Sequence, residues 1–555
     1  MKKSLKFVAL MIASVMLLSS CGGNAKTPEE PTKTGEQTVE QTAKENDSEK
    51  SITFVLHNEP DGIDPNVTSN SFASPFLTNC FEGLVTYNEN SELVPGLAES
   101  WDISEDGKIY TFHLRKGLKW SDGTPLNAND FLYSIQRVLK PETTAQYLTM
   151  ITDYIENAQE VFDRAKTIDE LGVKAIDENT LEIKLKDPAP YFLDILSMNV
   201  YCPVQKATVE ANGEKWTLSP EAYIVNGPYK ITAINMGESV ILEKNEHYYN
   251  ADKVKLDKIT FRYIKDQATA LNAFQSGEID GFREIPMADL SKLKAESDDL
   301  YTLPQYATTY YLINTAKKPY DDVRIRKAIN LAIDRQALID NILQGVAEPA
   351  FSLVSPGYAV DGVKYEEGRG TYDLSPNANQ EEAKKLMAEA GYPNGEGFPT
   401  IQLSYYTNPQ VKQLVEAMAQ MLKTNLGVQV EISTEEWKVY YDNVQAGKYE
   451  IAAMGWGADY LNPMTFLPLF VSGDPLNKTG YASKEYDQAV LKAKVERDPK
   501  IAMGLMREAE NILMKDYPFL PLYYRSTNLM MKPYVKGWFL TPTGSLYFRD
   551  ATIEK

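Results

Sequence analysis

Among the residues whose types and spacing could do chemistry, one short stretch stands apart. Residues 455–460 read Gly-Trp-Gly-Ala-Asp-Tyr and continue Leu461-Asn462-Pro463. The run before them, Tyr449 to Met454, predicts a buried strand. That strand would end in a loop holding two glycines, a tryptophan and one acid, Asp459. Glycine admits a second backbone because no Cβ intervenes. A lone carboxylate beside an indole in an apolar run is costly unless a cation meets it. The stretch therefore reads either as a tight turn with Asp459 as an Asx-type cap or as a seat for a ligand cation such as a free amine. These residues alone leave both open.

Little else in the chain points to catalysis. His57, His113 and His247 are far apart and lack metal-ligand spacing, so no metal site is expected. There is no GxSxG, HExxH, P-loop, GxGxxG after a strand, or CxxC. With 77 acids in the chain, no pair of carboxylates is informative. His113 reads as a surface or half-buried histidine on an alternating strand, and His247 as packing beside Tyr248 and Tyr249. No catalytic residue and no cofactor is expected. A net charge of −20 argues against nucleic acid, which requires a basic face. A length of 555 residues exceeds one core and predicts two or three lobes.

The cysteines divide into two cases. Lys2, Lys3 and Lys6 precede an apolar run, Phe7 to Leu18, that is too short to span a bilayer. Leu18-Ser19-Ser20-Cys21 follows and is similar to a bacterial lipobox. Residues 1–20 then read as a lipoprotein signal peptide and Cys21 as a lipid-bearing N-terminus; an ordinary secretory peptide is the alternative. Residues 21–50 contain no aromatic side chain and are rich in Glu, Lys, Thr, Gln and Pro, the composition of a disordered tether. Such a tether reaches roughly 30 Å. Cys80 and Cys202 could form a bridge in an exported protein. Both sit in apolar runs, where a buried free thiol is commoner.

The elements that must position Asp459 follow from periodicity. Strands are predicted at Ser51–Leu56, Ile109–Arg115, Leu181–Leu185, Lys258–Ile264, Tyr306–Asn314, Ile401–Tyr406 and Val428–Ile432, with Pro518–Tyr524 extended. Helices are predicted over Ser74–Val85, from an Asn129 or Asp130 cap to Leu139, from Asp266 to a stop at Gly277, over Val323–Leu343, over Glu381–Ala390 and over Val411–Leu426. This alternation predicts an α/β protein. No internal repeat is evident.

Several blocks together carry a resemblance. Residues 97–137 read LAESWDISEDGKIYTFHLRKGLKWSDGTPLNANDFLYSIQR. Ile63-Asp64-Pro65, FEGLV from Phe81, NGPY from Asn226 and SGEID from Ser276 agree with them, as do INTAKKPYDDVRIRKAINLAIDR from Ile313, EEAKKLMAEAGY from Glu381 and GWGADYLNP from Gly455. In this order, over roughly residues 52–555, they resemble the oligopeptide-binding lipoproteins, solute-binding protein family 5 of the peptide ABC transporters. The resemblance implies a periplasmic-binding-protein-like (class II, cluster C) flytrap of two lobes with an extra domain. Domain I would comprise 51–81, 207–306 and 527–555, domain II 82–206 and domain III 307–526. Hinge strands would cross near Tyr306–Thr308 and Tyr524–Ser526.

The same resemblance implies roles. An extended peptide is held as an added strand, and Asp459 takes its α-amino group. Gly455 and Gly457 lie where the peptide backbone comes close, and Trp456 lines a pocket. Ser69, Asn70 and Ser71 pair with the peptide from the first lobe, and Tyr147 orders the amino end. Where the family's best-known member meets peptide carboxylates with cationic or imidazole groups, this chain has Leu343, Val411, Val444 and Ala453, none of which can do so. Longer peptides that leave the cleft would explain this; Lys317 and Arg525 are other possible carboxylate contacts, and an apolar groove for a hydrophobic signalling peptide is a third account. The implied partners are oligopeptides, an ABC permease and, through Cys21, the outer face of a bacterial cell membrane. A monomer without enzymatic activity is expected. A specific pheromone receptor, and a relative that binds a nickel chelate, haem or oligosaccharide, are the alternatives.

Overall fold

A computed structural model describes residues 50–554. The segment 1–20, the tether through residue 49, and Cys21 lie outside the described residues. The dominant element is an eleven-stranded mixed sheet. Its order runs Val430–Glu435, Ile401–Tyr406, Ile451–Gly457, Leu300–Ile313, Phe519–Met531, Gly281–Arg283, Ser51–Leu56, Lys258–Tyr263, Ser239–Lys244 and Tyr229–Asn235, with Glu348–Pro349 paired off this path. A separate four-stranded antiparallel sheet joins Ala98–Ile103, Ile109–Leu114, Thr180–Lys184 and Val173–Asp177. Helices flank both, so the α/β expectation holds.

Two strands in the centre of the large sheet are longer than periodicity suggested, Leu300–Ile313 and Phe519–Met531. They are rich in Tyr, Thr, Leu and Met, and pair antiparallel over most of their length. Their ladder breaks register between Pro304 and Thr308, opposite Arg525. Proline cannot donate to the ladder, and a bulge is where a strand pair bends.

One core is assembled from three distant stretches. Phe54 and Phe76 from the first, Trp216 and Phe261 from the second, and Leu529 and Phe548 from the last are buried together. Edge-on aromatic contacts tie them, with ring centroids 5.9 Å apart for Phe54–Phe548 and 5.1 Å for Phe76–Phe261. Cys80 and Cys202 lie in this core as buried free thiols.

Local side-chain chemistry corrects several predicted boundaries. Asn127, not Asn129 or Asp130, caps Ala128–Val138, and Asp130 returns the bond as a capping box. The predicted helix 323–343 is two helices, Val323–Leu331 and Arg335–Asn341. Asp334 breaks it by accepting the Ala337 N–H at 2.8 Å, which competes with helical continuation. The helix expected over Ser74–Val85 ends at Cys80. As predicted, Asp266 caps Gln267–Ser276, and Gly277 closes it at φ +78°.

Candidate functional site

The strand before Asp459 runs three residues further than expected, through Ile451–Gly457, so Gly455, Trp456 and Gly457 are strand residues rather than loop. Its partner on one side is Leu300–Ile313 along the whole length. On the other side, pairing with Ile401–Tyr406 is confined to Ile451 and Ala452. Beyond that point the Ala453 carbonyl accepts from the Tyr440 hydroxyl at 2.6 Å, and from Gly455 on no strand among the described residues pairs with this edge. The Glu450 carbonyl accepts from Asn314 N–H, and Ala458 N–H donates to the Tyr306 carbonyl. Both even-numbered ends thus face the long strand. Strand alternation turns the peptide groups of Gly455 and Gly457 the other way, onto the open edge. An unpaired run of N–H and C=O groups is a template for an added strand.

The two glycines differ in surroundings. A Cβ on Gly457 would meet only the Ala307 Cβ, at 3.9 Å. A Cβ on Gly455 would strike Nη2 of the Arg525 guanidinium. It would also come within 3.0 Å of the Thr308 carbonyl, a backbone atom, while Arg525, whose Nε donates to Thr309 Oγ1 at 2.9 Å, would have to shift its guanidinium. Trp456 points its indole N–H at Thr465 Oγ1, 3.4 Å away.

Asp459 sits just past this strand, in the wall of a cavity of about 530 Å³. Its Oδ1 accepts from the Tyr147 hydroxyl at 3.0 Å, and its Oδ2 from Thr465 Oγ1 at 3.4 Å. The Asp459 N–H donates to the same Thr465 oxygen at 3.1 Å. Among the described residues no cation pairs with it. Burial pushes its carboxyl above the usual range, against smaller lowering effects from Tyr147 and Thr465. The arrangement is an anionic acceptor, oriented by two hydroxyls and left without a counter-charge. What it can do chemically is receive a cationic hydrogen-bond donor.

Ser69, Asn70 and Ser71 line the same cavity. Ser69 spends both its N–H, at 2.9 Å, and its hydroxyl on Gln146 Oε1. Asn70 Nδ2 donates to Asp61 Oδ1 at 2.9 Å. Asp459, Tyr147 and the 69–71 segment are therefore brought together from three distant parts of the chain. Lys317 and Arg525 are not in this wall: Lys317 lies exposed in a turn after Asn314, and Arg525 lies beneath Gly455. Leu343, Val444 and Ala453 are buried.

A family model for bacterial extracellular solute-binding proteins, family 5 (Middle), matches residues 92–478. The chain belongs to this family. It is 36% identical over 509 residues to the periplasmic oligopeptide-binding protein OppA of Escherichia coli, covering 91% of this chain and 93% of that one. It is 33% identical over 559 residues to the oligopeptide-binding protein OppA of Bacillus subtilis, covering 99% of each. Among solved structures, the unliganded open form of the murein tripeptide-binding protein MppA matches with a TM-score of 0.77 at 33% identity, over 91% of this chain and 97% of that one.

This chain shares the fold of these relatives. Sequence reasoning missed Thr465, which ties Trp456 to Asp459. The available signal was Asn462-Pro463, a capped one-turn helix that delivers Thr465 to the site. It also missed Gln146, which carries no local pattern and holds Ser69.

Proposed function

We propose that this family 5 protein is an extracytoplasmic receptor that captures oligopeptides and hands them to an ABC import permease, without catalysis. Lipid on Cys21 would hold it to the outer face of the cell membrane. The observation that carries this reading is Asp459: a carboxylate in a cavity wall, oriented by Tyr147 and Thr465, lacking a cation among the described residues, and placed at the end of an open strand edge. A free peptide amine supplies the missing charge, and the Gly455 and Gly457 edge supplies main-chain pairing that does not depend on sequence. The relatives' names as oligopeptide-binding proteins support the same ligand class.

In this reading domain I is 51–81, 207–306 and 527–555, domain II 82–206 and domain III 307–526. The hinge lies where the ladder between the two long strands breaks, at residues 304–308 opposite Arg525. Support comes from contacts between stretches 82–206 and 307–526. Tyr147 meets Asp459, and Tyr191 stacks on Tyr460 with centroids 6.0 Å apart and planes 10° apart. Peptide binding would draw these stretches together over the ligand.

The test is a calorimetric titration of the purified protein with trialanine and with N-acetyl-trialanine. The expected result is binding of the free peptide and at least a hundredfold weaker binding of the acetylated one, since a buried charge left unpaired costs about 3–5 kcal/mol. Equal affinities would remove Asp459 from the role.

A further inference from the structure

Away from the cavity, two pieces of chain meet at the rim of the molecule. One is the turn 104–108, which joins the strands Ala98–Ile103 and Ile109–Leu114 in the stretch 82–206. The other is the link 496–498 between the helices Lys484–Val495 and Pro499–Asp516, in the stretch 307–526. Arg497 Nη1 donates to the Glu105 carbonyl. The same side chain lies against Gly107: a Cβ built there would be 3.3 Å from Arg497 Nε and 3.6 Å from the Pro188 Cβ. On the first helix, Lys494 Nζ stands 5.7 Å from the centre of the Tyr154 ring, a cation over an aromatic face. None of Glu105, Gly107, Tyr154, Lys494 and Arg497 lines the cavity.

Each side of this contact is fixed by its own bonds. In the turn, Ser104 Oγ donates to Asp106 Oδ1 at 2.6 Å, and the Lys108 N–H donates to the same oxygen at 3.1 Å. Gly107 holds φ +72°, a conformation that favours glycine. In the link, Asp498 caps the second helix by accepting from the Lys500 and Ile501 N–H groups at 2.9 and 3.0 Å. Its own N–H donates to Glu496 Oε1 at 2.9 Å. Surfaces held in shape before they meet lose little entropy on meeting. Rings then run inward from the rim. Tyr154 stands edge-on to Tyr191 with centroids 6.1 Å apart, and Tyr191 stacks on Tyr460, the neighbour of Asp459. Lys494 and Tyr460 come from one stretch, Tyr154 and Tyr191 from the other, so the two interleave from rim to site.

We propose that Arg497 and Lys494 form a latch that holds the lobes closed over a bound peptide from outside the cavity. This rests on the peptide-receptor reading and its lobe division. A latch that touches no part of the ligand favours the closed form equally for every peptide. Asp459 then decides what the lobes close on, and the latch decides how long they stay closed. A smaller closed fraction lowers all apparent affinities by one common factor. Arg497 is exposed, which limits its share to that of an ordinary hydrogen bond in water.

The experiment measures association and dissociation rates of trialanine and Ala-Phe-Ala on the immobilised full chain. It compares wild type with Arg497→Ala and with the double variant Arg497→Ala/Lys494→Ala. Arg497→Ala is expected to speed dissociation of both peptides by about threefold to tenfold, the size of one net hydrogen bond. The double variant is expected to speed it further, again by the same factor for both peptides. The unliganded double variant is expected to melt with wild type, because neither side chain belongs to a core. Wild-type dissociation rates in the double variant, or a change confined to one peptide, overturn the latch and leave the receptor reading intact. Faster dissociation accompanied by a clearly lowered melting temperature marks a fold defect and also overturns the latch. Failure of both peptides to bind the wild type overturns both.

Discussion

At the scale of residues, the site is a set of polar groups left incomplete. Asp459 was legible because a lone acid follows two glycines and a tryptophan, and a buried charge needs a reason. Tyr147 and the 69–71 segment had no such pattern and came only through the family resemblance. Thr465 was invisible, because a hydroxyl is defined by what surrounds it in space. Titration gives Asp459 a testable signature. Burial raises its carboxyl above the ordinary value, so the folded protein holds this proton more tightly than the unfolded chain does. The stability tied to this group is therefore present at low pH and lost as pH rises through the raised value. Asp459→Asn is expected to raise the melting temperature of the unliganded protein at neutral pH, and to weaken trialanine binding by about 3–5 kcal/mol. Wild-type affinity for the amine is expected to fall as pH drops through the raised value, while the variant's residual affinity stays flat across that window. Calorimetry over a pH series checks both.

At the scale of elements, binary pattern located most strands and helices but not their ends. Side-chain caps decided those: Asn127 moved one helix start, and Asp334 split one helix into two. Strand length was misjudged where glycines suggested a loop. In the sheet, Gly455 is a strand residue paired with Thr309, and the Arg525 guanidinium lies against it. The two glycines can therefore be separated. Gly455→Ala would drive a Cβ into Arg525 Nη2 and to 3.0 Å from the Thr308 carbonyl, and is expected to cost about 1–3 kcal/mol in denaturant unfolding. Gly457→Ala meets only the Ala307 Cβ and is expected to change stability by less than about 0.5 kcal/mol. Equal costs at the two positions would contradict this reading of the strand.

At the scale of the whole molecule, the resemblance supplied the architecture. Composition alone gave only several lobes, because the core at Phe54, Phe261 and Phe548 is built from stretches hundreds of residues apart. Contact between stretches 82–206 and 307–526 is also where pH should act. Asp194 faces Asn462 there, with the Tyr87 and Tyr358 hydroxyls nearby. Burial pushes its carboxyl up to about 7, against a lowering bond from Asn462. The folded state thus binds this proton more tightly than the unfolded chain, and stability falls as pH rises toward 7. Asp194→Asn is expected to stabilise the protein more at pH 8 than at pH 5 in thermal melts; an equal effect at both would contradict it. The central claim is that the cavity belongs to peptides with a free amino end. Native mass spectrometry of the protein as purified, followed by sequencing of whatever dissociates, tests it most directly. The account predicts peptides with unblocked amino termini, and a non-peptide ligand or uniformly blocked peptides would contradict it.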